Sequence, residues 1–140
     1  MSNTKRGFTL IELLVVIAII GVLASVVLAS LNTARAKGAD AAIKSNLNGV
    51  RAQAELQYDS VSPPVYEGVC ENAQIVNQKD AAISAGGTSY VCADSDTAWG
   101  MRLALKTNTS LYYCIDSTGT ATTTAVNDLV ADTDLTCAND

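Results

Sequence analysis

Few residues in this chain have side chains that can do chemistry, and one of them sits where a charge is costly. Glu12 is the single charged residue between Phe8 and Leu31, in the run FTLIELLVVIAIIGVLASVVLASL. A carboxylate inside a membrane-spanning helix costs on the order of 2.5 to 3.5 kcal/mol on insertion scales, so it calls for a partner. No basic residue within the run supplies one. Lys5 and Arg6 lie just ahead of it, and snorkelling toward them would make Glu12 a locally paired side chain at the membrane edge.

The other reactive groups are Cys70, Cys92, Cys114 and Cys137, all beyond Leu31. They have no CxxC spacing and the chain has no histidine, which argues against a zinc site. Disulfides are preferred over four buried thiols, because an exported domain matures in an oxidising compartment. Four cysteines allow three pairings, and loop lengths favour Cys70 with Cys92 and Cys114 with Cys137. The second bridge would enclose Asp128, Asp132 and Asp134. Without EF-hand spacing, or a glycine at the turn such a loop needs, these read as solvated acids, with a calcium site as the lesser alternative and no cofactor expected. No GxSxG elbow, P-loop or GxGxxG stretch occurs, so the chain does not read as an enzyme. A net charge of −5 gives no bulk attraction for nucleic acid.

These groups depend on two kinds of element. At about 1.5 Å per residue, Phe8 to Leu31 makes a helix of roughly 36 Å, enough to cross a hydrocarbon core of ~30 Å. Lys5 and Arg6 before it set the N-terminus in the cytoplasm and export the C-terminal part. Past Leu31 the all-round apolar run gives way to a stripe, Ala36, Ala39, Ile43, Leu47, Val50, Ala54 and Tyr58, at steps of three or four. That is an amphipathic continuation of the same helix, expected from Phe8 to Asp59 and ending before Ser62, Pro63 and Pro64. On its polar face Asp40 with Lys44 and Arg51 with Glu55 are spaced as i, i+4 ion pairs on a solvated surface, and Gly38 and Gly49 are its soft points.

The remainder is small and only lightly apolar, because much of the chain's 49% hydrophobic content lies in the N-terminal run. Val65 to Thr97 reads as loop-rich, with a short helix around Ala73 to Ser84 and a turn at Gly86 and Gly87. Ala98 to Leu105 and Ser110 to Asp116 alternate as a β-hairpin about the turn Lys106 to Thr109. In the second strand Leu111, Tyr113 and Ile115 face one way, Tyr112 and Cys114 the other. Thr120 to Val126 suits a third strand, Leu135 to Cys137 a closing segment, and the sheet should pack on the stripe from Ile43 to Tyr58. The fold class is therefore α+β: a long N-terminal α-helix whose amphipathic half packs on a small antiparallel β-sheet head.

The stretch KRGFTLIELLVVIAIIGVLA resembles the N-terminus of type IV prepilins and pseudopilins, with a short basic leader ending in Gly7, then Phe8, Glu12 and a long apolar helix. The resemblance covers about the first third of the chain. It implies that a prepilin peptidase cuts between Gly7 and Phe8 and methylates the new Phe8 amine, and that Glu12 pairs with the Phe8 amine of a neighbouring copy on assembly. Gly7, lacking Cβ, lets the chain lie close to a protease backbone. Residues 1–7 are then a leader, 8–31 a transmembrane and filament-core helix, 32–60 an amphipathic helix, and 61–140 a disulfide-stapled β-rich head. Loss of Lys5 and Arg6 with the leader takes the net charge from −5 to −5 − 2 = −7.

The implied partners are other copies of the chain, the peptidase, a membrane platform protein, an assembly ATPase acting indirectly and the cytoplasmic (inner) membrane. The implied locations are a single-pass precursor in that membrane, then a surface filament or a periplasmic pseudopilus. The favoured expectation is a pilus subunit for adhesion, motility or DNA uptake, with a type II secretion pseudopilin as the alternative. The family often has a proline near the position of Ala29, which is missing here and bears on whether the core helix stays continuous. A permanent single-pass anchor, or a secreted domain cut near Ala34, Arg35 and Ala36, are the readings from outside the family.

Overall fold

The computed structural model describes residues 7–125 and 135–137 of the chain. They fall into two compact units, Met1–Arg35 and Ala36–Asp140. One helix, α1 (Leu10–Ser60), contributes to both and runs unbroken through Gly21, Gly38 and Gly49. It begins two residues later than the apolar run suggested, because Thr9 takes the capping position described below. It is also unbroken at Ala29, where a proline would have removed a hydrogen bond.

In the first unit no described side chain is buried: Phe8 is 85% exposed and Leu10 81%. The second unit has an ordinary core. Ile43, Leu47, Val50 and Ala54, spaced by four, three and four residues, put one face of α1 fully inside. After the helix comes a cis bond at Ser62–Pro63, then a single 3₁₀ turn, Val69–Glu71, entered through Gly68 at φ +84°. Helix α2 (Ala73–Ser84) follows, its first turn capped by Asn72, whose Oδ1 accepts from the N–H groups of Gln74 at 2.9 Å and Ile75 at 3.4 Å.

Four strands complete the head: β1 (Thr88–Asp94), β2 (Trp99–Ala104), β3 (Tyr112–Asp116) and β4 (Ala121–Thr124), all antiparallel in the order β1-β2-β3-β4. Trp99, Met101 and Leu103 of β2, with Leu105 beyond it, and Tyr113 and Ile115 of β3 join the α1 stripe, Val69, Ile75 and Ala82 in one core. Cys114, Cys137 and Val91 form a small cluster apart from it, as the alternation of β3 requires. Gly87 is buried at the mouth of this core, where a Cβ would sit 2.3 Å from Leu103 Cδ2, so only glycine lets the chain pass.

Three expectations need correction. The sheet has four strands: residues 88–94, expected as loop, pair with β2 through a turn in which Ser95 N–H donates to Ala98 O at 2.9 Å. The register shifts between Thr88 and Val91 and Ser89 sits at φ +51°, so the regular alternation that marks a strand is broken there. The expected third strand, now β4, ends at Thr124, while Val126 lies outside the described residues.

The third correction concerns the helix charges. Asp40 accepts from the backbone N–H of Lys106 at 2.6 Å, from that of Thr107 at 3.2 Å and from the Thr107 hydroxyl. Arg51 Nη2 donates to Gly119 O at 2.8 Å, and Glu55 accepts from the Tyr66 hydroxyl at 3.1 Å. Lys44 lies over the Tyr113 ring, 5.4 Å from its centroid. The polar face of α1 therefore holds the turns of the head in place, and the ion pair found among the described residues is Lys79 with Asp80 at 2.9 Å.

Tyr90 on β1 has its hydroxyl pushed up to about 12, chiefly by burial, with Asp94 and Asp80 adding to the effect and Lys79 5.6 Å from the ring centroid. Its ordinary value is 10.0, so the folded state holds the proton more tightly. The stability this contributes is complete below pH 10 and is lost as the pH rises toward about 12. The melting temperature of the head should fall across that window, and Tyr90→Phe should remove the Tyr90 share of the fall.

Candidate functional site

The candidate site is the start of α1 and is built by four consecutive choices of residue. The helix runs from Leu10, and Thr9 marks its start. The Thr9 carbonyl accepts the first helical bond, from Leu13 N–H at 3.4 Å. Its hydroxyl accepts from Glu12 N–H at 3.3 Å. In return Glu12 Oε2 accepts from the Thr9 N–H and the Thr9 hydroxyl, both at 2.8 Å. This is a capping box, in which two residues three apart satisfy one another's orphan groups at a helix N-terminus.

Glu12 is thus engaged within its own chain through one oxygen, by Thr9, whereas Lys5 and Arg6 lie outside the described residues. Its other oxygen, Oε1, has no hydrogen bond among the described residues. Phe8, Ile11, Val15 and Val16 lie around Glu12 as exposed apolar side chains, and Glu12 is itself exposed. Gly7 and Phe8 lie outside the helix, exposed.

Sequence reasoning singled out Gly7, Phe8 and Glu12 and missed Thr9. The signal was present: Thr9-Leu10-Ile11-Glu12 is the T-x-x-E pattern of a capping box ahead of an apolar run.

The cysteines form a second group, structural in character. Disulfides join Cys70 to Cys92, with Cα atoms 5.9 Å apart, and Cys114 to Cys137, 5.7 Å apart. The first ties the 3₁₀ turn to β1; the second ties residues 135–137 to β3. Asp116, also missed, is fully buried and organises the same corner. Its Oδ1 accepts from Thr118 N–H at 2.9 Å, the Thr118 hydroxyl at 2.6 Å and Thr120 N–H at 3.0 Å, and its Oδ2 from Cys137 N–H at 2.7 Å. Asp128, Asp132 and Asp134 lie outside the described residues. Among the described residues no cluster of three or more His, Cys, Asp or Glu side chains is arranged to hold a metal.

Among the described residues, α1 is the one helix long and apolar enough to cross a membrane. Residues 2–28 match the family model described as the prokaryotic N-terminal methylation motif. The type IV wide pilus major component PilA4 of Thermus thermophilus is 48% identical over 63 residues, which cover 44% of this chain and 47% of that protein. The chain thus spans about half the length of the curated relative it matches. No solved structure matches. The motif and the relative together bear out the resemblance to type IV pilins, and the long apolar helix with its small antiparallel sheet is the fold that resemblance implies.

Proposed function

We propose that this chain is the structural subunit of a type IV pilus-like filament, made as a membrane precursor, cut between Gly7 and Phe8 and polymerised through its apolar helix. The observation that carries this reading is the unburied N-terminal unit. A run of apolar side chains with no protein around it needs either lipid or other copies of itself, and a filament subunit uses the two in succession. Hydrolysis would leave a free amine on Phe8, whose methylation keeps a positive charge at working pH. That cation matches the exposed Oε1 of Glu12 on a neighbouring copy, and the surrounding apolar side chains would exclude water from the pair.

Lys5 and Arg6 support an orientation with the leader in the cytoplasm and the head exported, where the two disulfides are stable. The role is structural and not catalytic, and the partners are the peptidase, a membrane platform protein and an ATPase acting on the machinery. A short secretion pseudopilus is the second reading, favoured by the unbroken helix at Ala29. Mass spectrometry of the chain recovered from cells tests the shared core: a mature N-terminus at methylated Phe8 is expected, and an uncut Met1 or a start near Lys37 would overturn it. Micrographs of sheared surface fibres containing this chain separate the two filaments.

The acidic stretch of Asp128, Asp132 and Asp134 is read as solvated, with calcium as the lesser alternative. The melting temperature of the chain should be the same in calcium and in chelator; a clear rise with calcium would assign a metal there.

A further inference from the structure

We propose that Thr9 is a positioning residue for leader removal, because it stops α1 at Leu10 and so keeps the Gly7–Phe8 bond outside the helix in the form a peptidase can accept. The inference rests on the processing read above and adds the residue that presents the bond. Proteases take their substrates as extended chain, and hydrolysis needs the scissile carbonyl free: water adds to the Gly7 carbonyl carbon, the C–N bond to Phe8 breaks, Gly7 leaves as a carboxylate, and both protons of the water end on the Phe8 nitrogen as an ammonium.

A helix resists both requirements. Were α1 to begin two or three residues earlier, the Gly7 carbonyl would accept from Ile11 N–H in the ordinary i to i+4 pattern. Nothing in Phe8 prevents this, and Gly7 opposes it only weakly. At a membrane the tendency is stronger, since each backbone group outside the helix must find a partner elsewhere. Thr9 reverses the balance. An N-cap residue starts the helix with its carbonyl and satisfies a first-turn N–H with its side chain, and Thr9 does both, its carbonyl accepting from Leu13 N–H and its hydroxyl from Glu12 N–H. Phe8 and Gly7 fall outside α1 as a result.

The same geometry separates two duties of one carboxylate. Glu12 Oε2 completes the cap by accepting from Thr9, and Oε1 is left for an amine that only exists after the cut. Presentation of the bond and assembly of the product therefore use different oxygens.

The test compares cleavage of full-length precursors in vesicles containing a prepilin peptidase, followed as the ratio of cut to uncut chain. Thr9→Val keeps the shape and removes the hydroxyl; it should be cut about fivefold more slowly than the wild type, the usual worth of a cap expressed as a rate. Thr9→Ser, which restores a capping hydroxyl, should be cut at close to the wild-type rate. Carbon-13 shifts of Gly7 and Phe8 in detergent should move toward helical values in the Val variant alone. Equal rates for wild type and Thr9→Val, a Ser variant as slow as Val, or unchanged shifts with slowed cutting would each overturn the inference. A wild-type precursor that is not cut at all overturns the processing itself, and this inference with it.

Discussion

Glu12→Ala should abolish filaments while leaving the precursor inserted in the membrane. Removing the carboxylate makes insertion easier, by on the order of 2.5 to 3.5 kcal/mol, so the membrane-bound pool should not shrink. Assembly suffers in the opposite sense. Every Phe8 amine that enters the apolar interior would be left without a counter-charge, and stranding one member of a buried ion pair typically costs about 3 to 5 kcal/mol. That is some two to four powers of ten in each association step, repeated along the fibre. Glu12→Gln, which can still accept from Thr9, should fail equally, and this shows that the charge and not the cap is what assembly requires. Immunoblots of the membrane fraction beside micrographs of the cell surface check it; ordinary filaments from either variant would remove the pairing from the account.

The second large effect is expected in the head. Replacing Cys114 and Cys137 together by serine should lower its stability by about 3 kcal/mol, the chain-entropy value for a loop of this size. For a unit of about a hundred residues that corresponds to a fall of roughly 15 °C in melting temperature. The cost is concentrated because the bridge fixes the segment that also donates Cys137 N–H to the buried Asp116. Once residues 135–137 detach, that carboxylate loses a charge-assisted hydrogen bond and the β3–β4 turn loses an anchor. Melting of the full chain in detergent, followed by near-ultraviolet circular dichroism, measures it. A shift of only a degree or two would mean that the corner is held by Asp116 and its neighbours alone.

The parts of the molecule that follow a simple period were legible in the sequence. Ile43, Leu47, Val50 and Ala54 declare a buried helix face by spacing alone, and Tyr113, Cys114 and Ile115 alternate as they must on a strand with one face on the core. Strand β1 was hidden, because Ser89 at positive φ and the register shift after Thr88 interrupt the alternation, and residues 88–94 are only half-buried or exposed. The partners of Asp40 and Arg51 were beyond reach for a different reason. Each is met by a turn 66 to 68 positions away, and until the chain is folded the opposite charges near them are helix neighbours three or four positions off, Lys37 and Lys44 for Asp40 and Glu55 for Arg51, which the structure does not pair. Gly7, Phe8 and Glu12 were conspicuous through chemistry and motif. Thr9 was overlooked because a capping threonine does nothing unusual on its own and acquires its role from the glutamate three places on.

The way α1 is fastened into the head has a mechanical consequence. Its buried stripe and its polar grips on the turns at Lys106, Thr107 and Gly119 are distributed over the length from Asp40 to Ala54. Tension along the helix axis would load these attachments in shear, side by side, so that they must yield together and not one after another. The two covalent bridges then limit how far the sheet can unravel if they do, which would suit the filament subunit proposed above to carrying a pulling load along a fibre.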